Sequence, residues 1–350
     1  MTMYIIANIL LFSSWYIFFF KEKNSLSFID RLIGVFILGL TQIIFTEILL
    51  GVLFKSLYAL PLFLLNISIS SGVLFLALKQ RTQTTLYLDL KDIFQELKNK
   101  INWFFSILKA DTVLLCIFGL FLTSVCWMIF LGYLFPSYTW DALWYHLPMV
   151  GYIIQSGAIQ ENLTPPLISF INAYPKNIEL FFLWNSIFLK SDIIVDLSQL
   201  LFTIAGVFAI YSIAVKLKIK KEYAIYSSLL FFFTPIIILQ STTNHIDIAV
   251  SVLFLIAINF LMCNYTDNGA GVVNLREIQP QTDSSLAKKI PILLSGLAAG
   301  ILLGSKGSGP IFVAALLSVI IIQEFIKRIF PTSRRVESAT SYSLKENFIL

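Results

Sequence analysis

TVLLCIFGLFLTSVCWMIFLGYLF, residues 112 to 135, carries no charged side chain and runs directly into Pro136-Ser137-Tyr138-Thr139-Trp140-Asp141-Ala142-Leu143-Trp144-Tyr145-His146. At about 1.5 Å of rise per residue, a helix of this length covers the roughly 30 Å of hydrocarbon in a bilayer. The run therefore predicts a membrane span, with an acid and an imidazole placed at the membrane edge just beyond it. Comparable apolar runs lie near 3 to 20, 32 to 54, 58 to 78, 193 to 215, 223 to 240, 246 to 264, 290 to 305 and 309 to 326. Together they predict an all-α, polytopic transmembrane protein with about nine spans.

Composition agrees: 57% of the 350 residues are hydrophobic and 13% charged, against about 25% charged in a soluble domain. The net charge of +5 does not call for a nucleic-acid partner, because excess Lys and Arg in such a chain mainly record topology. Cys116, Cys126 and Cys263 fall inside apolar runs without metal-ligand spacing and read as packing residues. The first run has no basic residues ahead of it and Lys21-Glu22-Lys23 behind it, which predicts a retained span.

Basic residues gather at 21 to 31, 79 to 109, 216 to 221, 276 to 289 and 327 to 335. The spans alternate with these clusters if the N-terminus is external and all five clusters are cytoplasmic. Segments 136 to 192, 241 to 246 and 304 to 308 are then external together. The apolar stretch 177 to 189 is too short to span and predicts a juxtamembrane or re-entrant helix at the interface. Between spans three and four, Leu90, Ile93, Phe94, Leu97, Ile101, Phe104 and Leu108 recur every three or four residues, an amphipathic connector on the cytoplasmic surface. The stretch 267 to 285 is polar and reads as a flexible cytoplasmic connection.

The candidate chemistry sits in the three external segments. Asp141 is placed to accept a proton from a hydroxyl or to bind a metal, with His146 orienting it or contacting phosphate. An interfacial helix with an aromatic belt and a solvated Asp explains the same residues without function. Thr242-Thr243-Asn244-His245-Ile246-Asp247 repeats the acid and imidazole pairing, and capping of the next helix accounts equally well for Asp247. Lys306, in Gly304-Ser305-Lys306-Gly307-Ser308-Gly309, forms a phosphate seat of glycine N–H groups beside a cation, lacking the spacing and strand of a Walker loop. Lys176 follows Tyr174-Pro175. Glu47, a carboxylate within the second span, ranks below these for want of a partner in sequence. Asn162-Leu163-Thr164 matches a glycosylation sequon.

The order of these motifs resembles the GT-C superfamily of membrane glycosyltransferases, in its protein O-mannosyltransferase and lipid A aminoarabinose transferase branch. The likeness rests on Asp141-x-x-x-Tyr145-His146, Gly157-Ala158-Ile159, Tyr174-Pro175-Lys176, Asp247 after two more spans, and Gly296 to Gly300 leading to Ser305-Lys306-Gly307. It covers roughly residues 112 to 330. The resemblance implies a GT-C-like core over 111 to 330 with external juxtamembrane helices and a catalytic loop at 136 to 192, preceded by an N-terminal extension over 1 to 110 and followed by a cytoplasmic tail over 331 to 350. It implies transfer of a sugar from a polyprenyl-phosphate donor to a hydroxyl of a glycan, lipid or protein acceptor, with inversion, at the external face of a bacterial inner membrane. Asp141 is then the base or a ligand for a divalent metal, and His146, Lys176, His245, Asp247 and Lys306 bind substrate. Ala142 stands where many relatives carry a second carboxylate, and the chain ends at Leu350 where relatives continue, as a shortened or inactive member would. A transporter, a polymerase or ligase of polyprenyl-linked polysaccharide, and a membrane scaffold are the competing readings.

Overall fold

The computed structural model describes residues 1–20, 26–79, 83–160, 166–266 and 285–329. Part of the basic cluster at 21 to 31, the sequon at Asn162, the connection 267 to 284 and the tail from 331 lie outside the described residues. Among the described residues every regular element is helical. The helices are α1 (Thr2–Phe20), α2 (Phe28–Ile48), α3 (Ala59–Leu78), α4 (Gln83–Ala110), α5 (Thr112–Leu134), α6 (Leu147–Ser156), α7 (Asn177–Ile187), α8 (Ser198–Lys216), α9 (Lys221–Phe232), α10 (Pro235–Gln240), α11 (Asp247–Thr266), α12 (Ser285–Leu303) and α13 (Gly309–Ile329).

Among the described residues, five segments are long and apolar enough to cross a membrane: Thr2–Phe19, Phe28–Leu53, Ala59–Leu78, Thr112–Leu134 and Val195–Lys216. The apolar stretches of α11, α12 and α13 are shorter. The run predicted as one span over 223 to 240 is broken. Pro235 opens α10, with Thr234 held extended ahead of it, because proline offers no N–H and restricts the residue before it.

Met1–Gly309 forms one compact unit, and Pro310–Leu350 a second, in which α13 is the described element. The described residues among 1 to 110 therefore belong to the same unit as the helices that follow them. Tyr4 donates to Asn185 at 2.8 Å and the Trp184 indole to Asn8 at 3.2 Å, joining α1 to α7. Gln42 of α2 donates to Asn66 and Ser70 of α3. The amphipathic α4 packs its last turns, through Ile107 and Leu108, on Leu114, Ile225 and Leu229, and its Glu96 pairs with buried Arg31 at 2.5 Å.

The direction of each helix follows from these contacts and fixes two ends. At one end the start of α2 meets the end of α8. Asp30 Oδ1 there accepts from Lys216 Nζ and Ser212 Oγ at 2.7 Å and from Asn259 Nδ2 at 2.8 Å. Ser27 caps α2 beside it, donating to Asp30 Oδ2 and accepting from the Asp30 N–H. At the other end Gln199, in the first turn of α8, accepts from the Ala249 N–H in the first turn of α11.

The stretch predicted as an interfacial helix departs from that expectation. Every residue from Ile178 to Ile187 in α7 is buried. A helix that is apolar on all sides has no polar face to turn to water, so α7 sits inside the bundle against α2, α6 and α8. Its burial sets a local problem, because Glu179 is carried inward with it.

Candidate functional site

Connections far apart in sequence meet at the end where α5 and α12 finish and α8 and α11 begin. The Asn177 N–H donates to Gly304 O at 2.9 Å, and its side chain donates to Ile301 O at 3.0 Å. Glycine at 304 eases this approach, because a Cβ there would push on the Asn177 side-chain amide. Asn244 Nδ2 donates to Ser137 Oγ at 3.0 Å and to Asp196, which ties the segment after α10 to the one after α5. The three segments predicted to share one side do share one end of the fold.

Asp141 and His245 come together there, with His245 Nδ1 3.5 Å from Asp141 Oδ2 and both side chains reached by solvent. Lys306 forms an ion pair with Asp247, also partly exposed. Since His245 and Asp247 are two residues apart, the two pairs belong to one half-open patch. Lys176 is half-buried and donates to the carbonyls of Asn172 and Tyr174, each at 2.9 Å, which leaves one of its three N–H donors uncommitted by those bonds. Burial holds its ammonium below the ordinary lysine range, with Glu179 acting in the opposite direction.

His146 departs from its expected role. It is fully buried, and its Nδ1 lies 2.8 Å from Glu179 Oε1, so it turns inward onto α7 while His245 accompanies Asp141. The physical reason lies in the pairing with α7. Residues Ala142–His146 form a wide π-turn, and a buried carboxylate without a partner costs several kcal/mol, roughly. His146 is the partner that Glu179 requires. Beside them Tyr145 packs edge-on to Tyr174, with ring centroids 5.4 Å apart. Its phenol is pushed well above the ordinary tyrosine range, first by burial and then by the charges of Asp141 and Glu179.

Glu47 is fully buried near the end of α2, two residues before a second π-turn at Leu49–Leu53, and among the described residues neither carboxylate oxygen has a hydrogen-bond partner. Thr139 Oγ1, Glu179 Oε2, Gln199 Nε2 and Asn244 Oδ1 are likewise buried without partners at this end. Such atoms are uncommon in folded proteins, and their concentration marks a region not optimised for stability alone.

Sequence reasoning passed over Glu179 and Asp196, and it quoted Asn244 and Tyr145 only as neighbours within motifs. A signal existed for Glu179 and Asp196, since each is a carboxylate in an otherwise apolar stretch and so demands a partner from elsewhere in the fold. A metal fits less well. Asp141 and His245 are a pair, and among the described residues no three His, Cys, Asp or Glu side chains gather to hold an ion. No family model matches the chain, and neither does any curated protein or solved structure.

Proposed function

We propose that the chain is an integral membrane glycosyltransferase of GT-C type, moving a sugar from a polyprenyl phosphate to an acceptor hydroxyl at its external face, with inversion. One observation carries the reading: a half-exposed carboxylate, Asp141, stands beside an imidazole at the end of the bundle that also holds Lys306 and Lys176. A base and cations are the two things the reaction needs from a protein.

In this scheme Asp141 takes the proton of the acceptor hydroxyl, and His245 holds the carboxylate in place. The hydroxyl oxygen attacks the anomeric carbon as the bond from that carbon to the phosphate oxygen breaks. The pair of electrons leaves on the phosphate, whose developing charge meets the Lys306 and Lys176 ammonium groups. Asp247 sets the position of Lys306 through their ion pair, and the two carbonyls that bind Lys176 do the same for it. The isoprenoid chain lies against apolar helix faces, so the donor needs no nucleotide site.

The test is transfer of labelled sugar from polyprenyl phosphate by purified protein in vesicles. Asp141→Asn is expected to lower it by about 10² to 10⁴-fold while the protein stays folded. Wild-type activity in that variant overturns the assignment. His245→Ala is expected to reduce transfer more than His146→Ala does per folded molecule, because only His245 accompanies the base.

A further inference from the structure

Beside this patch, on the flank of α5, a pocket of about 380 Å³ is lined by Leu131, Gly132, Phe135, Tyr138, Thr242 and Asp196. The proposed transfer does not use it. Its walls are apolar and aromatic, and its one charged lining residue is Asp196. That carboxylate is 5% exposed and accepts both its hydrogen bonds, from Ser137 at 2.6 Å and from Asn244, on Oδ1. Among the described residues Oδ2 has no hydrogen bond, and both donors are neutral. Among the described residues no cation pairs with Asp196, and Asp192 on the connection just before it adds negative charge.

A desolvated carboxylate with no counter-charge is costly, and the partner that relieves it best is a cation brought by a ligand. Aromatic rings next to a carboxylate are the surroundings that recognise an ammonium group, through attraction to the ring faces. Leu131 and Gly132 of α5, an apolar span only 11% buried, form one wall, which suits an occupant that comes from the bilayer. A volume near the lower end of ordinary ligand sites holds a head group and the first part of a chain, not a whole lipid.

We infer that this pocket binds the ammonium head of a membrane lipid, with Asp196 as its counter-ion, Phe135 and Tyr138 against the cation, and Leu131 and Gly132 along the start of the chain. The ammonium donates to Asp196 Oδ2. Ser137 and Asn244 hold the carboxylate for it.

The experiment uses the full chain in phosphatidylglycerol nanodiscs, which contain no ammonium lipid, with photoreactive hexadecylamine as the probe and mass spectrometry of the labelled peptides. Label is expected on 131 to 138 and 192 to 197, reduced about tenfold in Asp196→Asn. That variant keeps an acceptor oxygen for Ser137 and Asn244, so the fold is retained. Leu131→Trp, which fills the pocket, is expected to block the same label, and replacing half the lipid with phosphatidylethanolamine to displace it. Equal labelling by the hexadecanol analogue, undiminished label in either variant, or failure of phosphatidylethanolamine to compete overturns the inference. Asp141→Asn leaves the labelling unchanged, so this site and the proposed transfer fail or stand separately.

Discussion

The two ends of the bundle use the same side-chain chemistry to opposite effect. At one, Asp30 and Lys216 are 4% and 12% exposed, and the carboxylate takes three donors from α8 and α11 besides its cap. At the other, Asp247 and Lys306 are 46% and 39% exposed, and Asp141 faces His245 across 3.5 Å with room around it. A carboxylate enclosed by its donors can only hold helices together. One left half-open, among buried polar atoms that lack partners, is available to something that is not protein.

The largest effects should separate the ends by kind. Asp141→Asn is expected to remove nearly all transfer and leave the unfolding midpoint where it was. Asp30→Ala is expected to do the reverse, costing about 3–5 kcal/mol because Lys216 is left buried without its partner. Denaturant titration in mixed micelles, with transfer measured per folded molecule, checks both. Loss of transfer without loss of stability in Asp30→Ala would erase the distinction.

Glu47 tests the contrast within one helix, since it lies near the opposite end of α2 from Asp30 and has no donor among the described residues. Glu47→Leu removes an unsatisfied buried group and is expected to stabilise by about 1–3 kcal/mol in the same titration. If transfer falls as stability rises, Glu47 belongs with the functional end. A destabilised variant would show that the carboxyl has a partner after all.

Three of the long apolar helices were legible because nothing competes with them. The runs 3 to 20, 58 to 78 and 112 to 135 lie within a residue or so of α1, α3 and α5, each an uninterrupted apolar stretch. The break at Thr234–Pro235 was legible in principle from the proline. The inward turn of His146 was not, because its partner is thirty-three residues away on a helix whose burial depends on the rest of the fold. The pairing of Asp141 with His245 was hidden likewise. Charge patterning brought the two segments to one side, but choosing between two histidines required the π-turn at Ala142–His146, which aims one of them into the interior.

Smaller effects should follow pH. Burial disfavours the charged form of Lys176, so its ammonium is lost at lower pH than an ordinary lysine, near 10.4. If it contacts phosphate, the alkaline fall in transfer begins correspondingly early. Lys176→Arg, charged throughout, is expected to move that fall to higher pH. An unmoved limb would take Lys176 out of the site.

The smallest expected effect belongs to Asp111, just before α5 at the Asp30 end. Its carboxyl lies below the usual carboxylate range, chiefly because it accepts from the Leu114 N–H at 3.0 Å and next because the Tyr226 hydroxyl donates to it. A carboxyl whose folded value is depressed binds its proton more readily in the unfolded chain. Its contribution to stability is therefore complete above the unfolded value, roughly pH 3.9, and is lost as pH falls through the lower, folded one. Asp111→Asn still caps the helix but cannot titrate. The drop in thermal midpoint between pH 6 and pH 3, about where the group titrates, should be slightly smaller in the variant than in the wild type. Transfer at neutral pH should be unchanged, as befits a carboxylate committed to holding a helix start. A larger loss of transfer than of stability would mean that the Asp30 end also takes part in chemistry.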